Sequence, residues 1–328
     1  MLKIILAILV IVAFSACNKL SPPKAEPVQK IAVSYTTQPQ STLLHVAVAK
    51  GYFTEENLDV ESSIYPFGKP SLQALLDHKT DFAAVAETPI MFSVLKGEKI
   101  FAIANIEATS LNNAIIARKD AGINKPLDLK GKRIAYTPGT TSDFFLDSLL
   151  TSIGLQRKDI HAIPLKPDEM QEAILTNKID AACTWNFTLA QIARQLGANA
   201  TRIVDREIYT ETYNIVAQQE FVQKNPETVK RFLRALIKAE NFVHQHPEEA
   251  QSLMALNAKV DIGLIHEIWD TFDFRVTQDQ TLLITLEDET RWAIQNKLTD
   301  QTVIPDYRQM IHLDSLRAVK PEAVLINK

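Results

Sequence analysis

The chain has 328 residues, 46% of them hydrophobic, and a formal net charge of −4. That length and apolar content allow two domains, each with its own core. The mildly acidic balance excludes the basic face that nucleic acid or an anionic membrane surface would require, and the sequence carries no heptad repeat or low-complexity tract.

At the N-terminus, Lys3 precedes the apolar run Ile4–Phe14, which ends in Ser15-Ala16-Cys17. A charged start, an apolar middle and a small-residue end form the layout of a secretory signal. The run is too short to span a bilayer, so residues 1–16 are expected to be a signal peptide. Phe14-Ser15-Ala16-Cys17 resembles the bacterial lipobox, with Phe14 where the motif has Leu, Val or Ile. The resemblance implies cleavage before Cys17 and lipid on that cysteine. Residues 17–29 are proline-rich and read as a flexible tether, so an extracytoplasmic, membrane-anchored protein is expected. The second cysteine, Cys183, lies in an apolar strand and is expected to be a buried, inert thiol, leaving no intrachain disulfide.

Ile31–Tyr35 reads as a first strand and Thr36–Gln40 as a polar loop. A helix then runs from Ser41 or Thr42 to Lys50, with Gly51 as its stop. Asp59–Tyr65 is a second strand ending in Pro66-Phe67-Gly68. It is followed by a helix 70–78, a strand 81–86, a helix from Glu87-Thr88-Pro89 to Lys96, and a strand 100–105. Strands alternating with helices of this length specify an α/β sandwich around a mostly parallel sheet. Asn113–Arg118 is an isolated strand, after which the alternation restarts at Lys132–Tyr136 and continues to Thr201–Val204. Tyr213–Gln218 is a second isolated strand, and beyond it the pattern is almost entirely helical.

Within Gly131–Leu150, a short strand is broken by Pro138 and Gly139. Thr140, Thr141 and Ser142 then lead into a helix with apolar Phe144, Phe145, Leu149 and Leu150. A strand turning through hydroxyls into a helix N-terminus offers unpaired N–H groups and the positive end of the helix dipole to an anion or polar heterocycle. A plain cap by Thr141 or Ser142 is the structural alternative. Shifting the sequence by 99 positions superposes Leu72–Asp81 on Gln171–Asp180, matching Ala74 with Ala173, Leu76 with Leu175, Lys79 with Lys178 and Asp81 with Asp180. Each copy leads to a polar residue where its strand gives out, Glu87 in one and Asn186 in the other. Two similar lobes with strand ends opposed across a cleft are expected.

Five stretches carry a family resemblance: Val48–Phe53, Leu127–Ala135, Pro138–Ser142, Ile179–Trp185 and Phe221–Glu227. Together they resemble the substrate-binding proteins of ABC importers, in the branch for nitrate, aliphatic sulfonates, taurine and thiamine-precursor pyrimidines. The resemblance implies a two-lobed periplasmic-binding fold of type II. Lobe 1 is expected from residues 30–112 and 213–328, lobe 2 from 113–212, with two crossover strands as hinge. Carried over by position, the ligand would meet Thr36, Gln38, Phe67, Gly68, Glu87, Thr88, Asn112, Gly139, Thr140, Thr141, Ser142, Trp185 and Asn186. Trp185 offers a flat wall with one N–H donor, while Trp269 and Trp292 are expected in the core. A carboxylate at Glu87 disfavours a bare oxyanion such as nitrate and suits a ligand with a donor group, an aminosulfonate or aminopyrimidine. Asp143 has a simpler role available, complementing its own helix dipole.

A small-molecule ligand captured by hinge closure and a membrane permease are the implied partners, with the chain itself a monomer. No cofactor and no metal are expected, since His244 and His246 point to different sides of a helix and no HExxH, GxSxG or P-loop spacing occurs. The alternatives are a pyrimidine-synthesising enzyme of the same fold and a ligand-sensing domain. The enzyme resemblance would bring a cysteine-rich motif that Cys183 does not supply.

Overall fold

The computed structural model describes residues 27–326; the expected signal peptide, Cys17 and most of the tether lie outside them. Among the described residues ten strands are present: β1 Gln29–Thr36, β2 Leu58–Tyr65, β3 Phe82–Ala86, β4 Ile100–Thr109, β5 Asn113–Arg118, β6 Arg133–Tyr136, β7 His161–Pro164, β8 Ala181–Trp185, β9 Ala200–Ile203 and β10 Glu211–Gln218. They form two five-stranded sheets, ordered β2-β1-β3-β10-β4 and β7-β6-β8-β5-β9. In the first, β1 is parallel to β2 and β3, and β10 runs antiparallel to β3 and β4. The second repeats that plan, with β5 antiparallel between β8 and β9. Each lobe therefore takes one antiparallel strand that follows a crossover. Residues 110–112 and 204–210 connect the sheets.

Parallel strands must bury both faces under crossover helices. β3 is Phe-Ala-Ala-Val-Ala and β8 is Ala-Ala-Cys-Thr-Trp, and every residue of both is buried. The 20-residue helix Pro226–Gln245 covers the first sheet with Val229, Phe232, Leu233, Leu236 and Val243. Phe232 stacks on Phe82 with ring centroids 4.1 Å apart. Cys183 is buried and donates to the Ser142 carbonyl at 3.2 Å, and burial pushes its thiol pKa up. No helix among the described residues is long and apolar enough to cross a membrane.

Several boundaries move. β4 runs on to Thr109 and β10 begins at Glu211 rather than Tyr213, because Glu211 and Thr212 pair with Thr109 and Ala108 in the first sheet. The expected division of lobes at 212 falls inside that strand. Trp269 and Trp292 are both buried, but Trp292 also reaches across to lobe 2.

Candidate ligand-binding site

Five parallel strands, β1, β2, β3, β6 and β8, end at one gap between the sheets. There the chain turns into the helices Gly68–Leu76, Glu87–Leu95, Thr141–Ser152 and Asn186–Leu196. Phe67, Ala86, Thr140 and Trp185 are the residues preceding these helices, and none caps its helix with a side-chain hydrogen bond. Four N-termini, two from each lobe, thus turn positive dipole ends toward the gap, although at Asn186–Leu196 the first amides are already taken, Asn186 N–H by the Asn112 carbonyl and Phe187 N–H by Asn186 Oδ1.

The cleft is lined by Gln38, Gln40, Phe67, Gly68, Lys69, Ala86, Pro89, Asn112, Thr140, Thr141, Trp185, Glu211 and Tyr213, and retains a volume of about 30 Å³. That is a nearly closed arrangement. The rings of Phe67 (lobe 1) and Trp185 (lobe 2) stand 6.3 Å apart at 52°. Gln38 donates to the Pro66 carbonyl at 2.7 Å, and its buried Oε1 has no hydrogen-bond partner.

Of the residues expected at the ligand, Gln38, Phe67, Gly68, Asn112, Thr140, Thr141 and Trp185 line the cleft. Thr36 and Ser142 stand one layer behind. Ser41 Oγ accepts from the Thr36 amide at 3.1 Å, and Ser142 Oγ accepts from the Thr137 amide at 3.1 Å. Neither Thr141 nor Ser142 caps the helix; Thr141 Oγ1 instead donates to Asn113 Oδ1 at 3.0 Å. Gly139 sits in the turn at φ +67°, a backbone state that favours glycine. Asn186 is turned into the wall, donating to Gln40 Oε1 (3.1 Å) and Asn112 Oδ1 (2.7 Å), and so ties lobe 2 to lobe 1.

Glu87 and Thr88 are corrections. Both are buried away from the cleft. Strand β10 pairs with β3 so that Thr212 comes beside Glu87, and the Thr212 amide donates to Glu87 Oε2 at 2.8 Å. Thr88 donates to Glu289. Asp143 accepts from the Gly139 amide and pairs with Arg157 at 2.7 Å, which accounts for it structurally.

The carboxylate that does reach the cleft is Glu211. Asn112 Nδ2 donates to both its oxygens (2.8 and 2.9 Å), Gln40 Nε2 donates at 3.1 Å, and Asn113 donates as well. Burial raises its pKa while these amides oppose the rise. Behind it stand Glu87, Glu107 and Glu289, all buried. Glu87 Oε1, Glu289 Oε2 and both Glu107 oxygens have no hydrogen-bond partner. Loss of water, then the neighbouring carboxylates, drives all three pKa values well up. Their surroundings therefore favour the neutral acid, where an exposed glutamate would favour the charged form.

Gln40, Lys69, Ala86, Pro89, Glu211 and Tyr213 escaped the sequence reading. Glu211 had one signal, an acid just ahead of the apolar run Ile215-Val216-Ala217. The described residues hold no cluster suited to a metal ion.

Two sheets of this topology, hinged by crossovers with helix N-termini facing across the gap, define a two-lobed periplasmic-binding fold. The chain belongs to the NMT1/THI5-like family, whose profile matches residues 38–250. It is 21% identical over 293 residues to the formylaminopyrimidine-binding protein of Halalkalibacterium halodurans, covering 87% of this chain and 85% of that protein. It is 24% identical over 233 residues to 4-amino-5-hydroxymethyl-2-methylpyrimidine phosphate synthase of Candida albicans, covering 66% and 68%. Its fold matches the periplasmic aliphatic sulphonate binding protein SsuA of Escherichia coli with a TM-score of 0.75 at 18% identity, over 86% of this chain and 97% of that one.

Proposed function

We propose that the chain is the extracytoplasmic solute-binding component of an ABC importer, anchored by lipid on Cys17 and acting as a monomer with a membrane permease. The observation that carries this is the cleft itself, lined from both lobes and closed down to a space of about 30 Å³ between them. Ligand held first on one lobe completes its contacts on the other, and its greater affinity for the closed form shifts the population toward closure.

The lining argues for the ligand's chemistry. The helix N-termini favour an oxyanion or heterocyclic acceptor, whereas Glu211 accepts hydrogen bonds or pairs with a cation. A ligand carrying both kinds of group, an aminosulfonate or an aminopyrimidine, fits better than nitrate. Phe67 and Trp185 supply apolar faces for it.

A thermal-shift panel of sulfonates, taurine, nitrate, amines and aminopyrimidines tests the reading. Ligand at a thousand times its dissociation constant adds about 4 kcal/mol of stability, so a binder will stand out. The synthase relative makes catalysis the second reading, on which mass spectrometry of the same mixtures decides. A product formed by the purified chain overturns the transport role; a stabilised protein with unchanged ligand supports it.

A further inference from the structure

We infer that Trp292 is a positioning residue, clasping lobe 2 to lobe 1 and holding, through Asp147, Arg157 and Asp143, the Gly139 turn at the cleft. The inference rests on the ligand-capture reading above for its binding consequence, and on geometry alone for its effect on lobe closure.

Trp292 belongs to the helix Gln280–Gln295, which packs on lobe 1. Its ring meets Phe92 of that lobe edge-on, with centroids 6.0 Å apart. On its other side the indole N–H donates to Asp147 Oδ2 at 2.8 Å, and the ring meets Phe144 edge-on at 5.5 Å. Asp147 and Phe144 both lie on the lobe 2 helix Thr141–Ser152, whose N-terminus faces the cleft.

From Asp147 the hydrogen bonds continue without a gap. Arg157 Nε donates to Asp147 Oδ1 at 2.6 Å, and Arg157 Nη2 donates to Asp143 Oδ1 at 2.7 Å and to the Asp143 carbonyl at 3.1 Å. Asp143 Oδ2 in turn accepts from the Gly139 amide at 2.9 Å. The Arg157 guanidinium also lies 4.3 Å over the ring of Tyr136, the last residue of β6, so it is fixed from a second direction. The path begins on lobe 1 and ends at the ligand turn of lobe 2.

The same turn is held from lobe 1 on its other flank, where Lys69 Nζ donates to the Pro138 carbonyl at 2.9 Å. A Cβ at Gly139 would come within 3.0 Å of that Nζ. The carbonyl and the amide of the single Pro138–Gly139 peptide are thus each tied to lobe 1, one directly and one through Trp292. When the lobes part, the Trp292–Asp147 bond must break. The rest of the path lies within lobe 2 and persists. Trp292 therefore favours the closed form and docks onto lobe 1 a turn that the Asp147–Arg157–Asp143 path already holds in one geometry.

Trp292→Phe keeps the ring and deletes the N–H. Asp147→Asn keeps the volume and weakens the acceptor. Small-angle scattering of the mature chain without ligand is expected to show a larger radius of gyration for both. For whichever panel compound binds the wild type, Trp292→Phe is expected to weaken binding roughly tenfold, the scale of one hydrogen bond to a charged acceptor, through faster dissociation. The double variant is expected to be no worse than the stronger single, because both act on one path. Folded variants with unchanged scattering and affinity overturn the clasp, as do fully additive losses. Should Trp292→Phe not fold, Asp147→Asn alone decides by the same two measurements. Failure of every compound to bind the wild type counts against the ligand reading, while the scattering still decides the clasp.

Discussion

Lys69 of lobe 1 and Pro138 of lobe 2 are joined by one hydrogen bond, Nζ to carbonyl, at 2.9 Å across the mouth of the cleft. Lys69 is exposed, so water competes for both partners once the lobes part. The bond is then worth about 1 kcal/mol. Lys69→Met is expected to speed ligand dissociation roughly fivefold and leave association nearly unchanged. Stopped-flow measurement checks it; an effect confined to association would show that Lys69 steers the ligand instead of latching the lobes.

Among the described residues, Glu211 is the only carboxylate lining the cleft, and its amide partners Gln40, Asn112 and Asn113 hold it in place and favour its ionised form. A cationic or donor-bearing ligand will be bound best with Glu211 ionised, against the rise in pKa that burial imposes. Binding should therefore release a proton wherever Glu211 is protonated in the free protein, and tighten as pH rises through its raised pKa. Calorimetry in buffers of different ionisation enthalpy reads that proton directly. Glu211→Gln should abolish the release and cost about 2 kcal/mol or more for an amine-bearing ligand. Equal affinity for a bare oxyanion in both proteins would point to a ligand anchored on the helix N-termini alone.

Much of this architecture was legible because it depends on local pattern. Alternating strands and helices place Gln38, Phe67, Thr140 and Trp185 just after strand ends, and strand ends of such sheets face ligands. Glu87 occupies an equivalent position and still misses the cleft. Its carboxylate folds back onto the Thr212 amide, a partner 125 residues away whose position only the antiparallel pairing of β10 determines. Glu211 was missed for the converse reason. Its partners Gln40 and Asn112 are 171 and 99 residues distant, and no local spacing announces them.

The internal repeat extends to individual hydrogen bonds. Asp81 Oδ2 accepts from the Ala32 amide and Asp180 Oδ2 from the Arg133 amide, each at 2.8 Å, pinning β1 to the turn before β3 and β6 to the turn before β8. Asp180 also pairs with the Arg133 side chain, which is 42% exposed and so adds little. Asp81→Ala and Asp180→Ala are expected to destabilise by similar amounts, about 1–3 kcal/mol each. Urea unfolding of the two variants compares them; a large asymmetry would mean that the repeat shares sequence but not load.

His45 should contribute to the loss of stability in acid. It is buried on the helix Thr42–Ala49, and its Nε2 meets the Thr36 carbonyl at 2.8 Å, so the neutral ring carries its proton there. Burial lowers its pKa from 6.5 to about 4. Below pH 6.5 the unfolded chain takes up a proton that the folded chain refuses, so stability is complete above 6.5 and drains away as pH falls to about 4. The linked loss is about 3 kcal/mol. His45→Gln can still donate to Thr36 and does not titrate. The variant is expected to lose less stability than the wild type between pH 6.5 and 4; parallel curves would remove His45 from the account.

Glu107 should act in the opposite direction. It lies opposite Tyr213 on β4, fully buried, with neither oxygen hydrogen-bonded and with Glu211 and Glu87 as acidic neighbours. Its pKa is raised, chiefly by burial, so the folded chain keeps a proton that the unfolded chain releases above about pH 4.5. Stability from this group is complete below that value and falls as pH rises toward the folded pKa, at about 1.4 kcal/mol per pH unit. Glu107→Gln has nearly the same shape and no proton to lose. The two proteins are expected to unfold at similar urea concentrations at pH 5 and to separate by pH 8, with the variant more stable. A variant that is equally destabilised at both values would show that Glu107 is held by a partner rather than by its own neutrality.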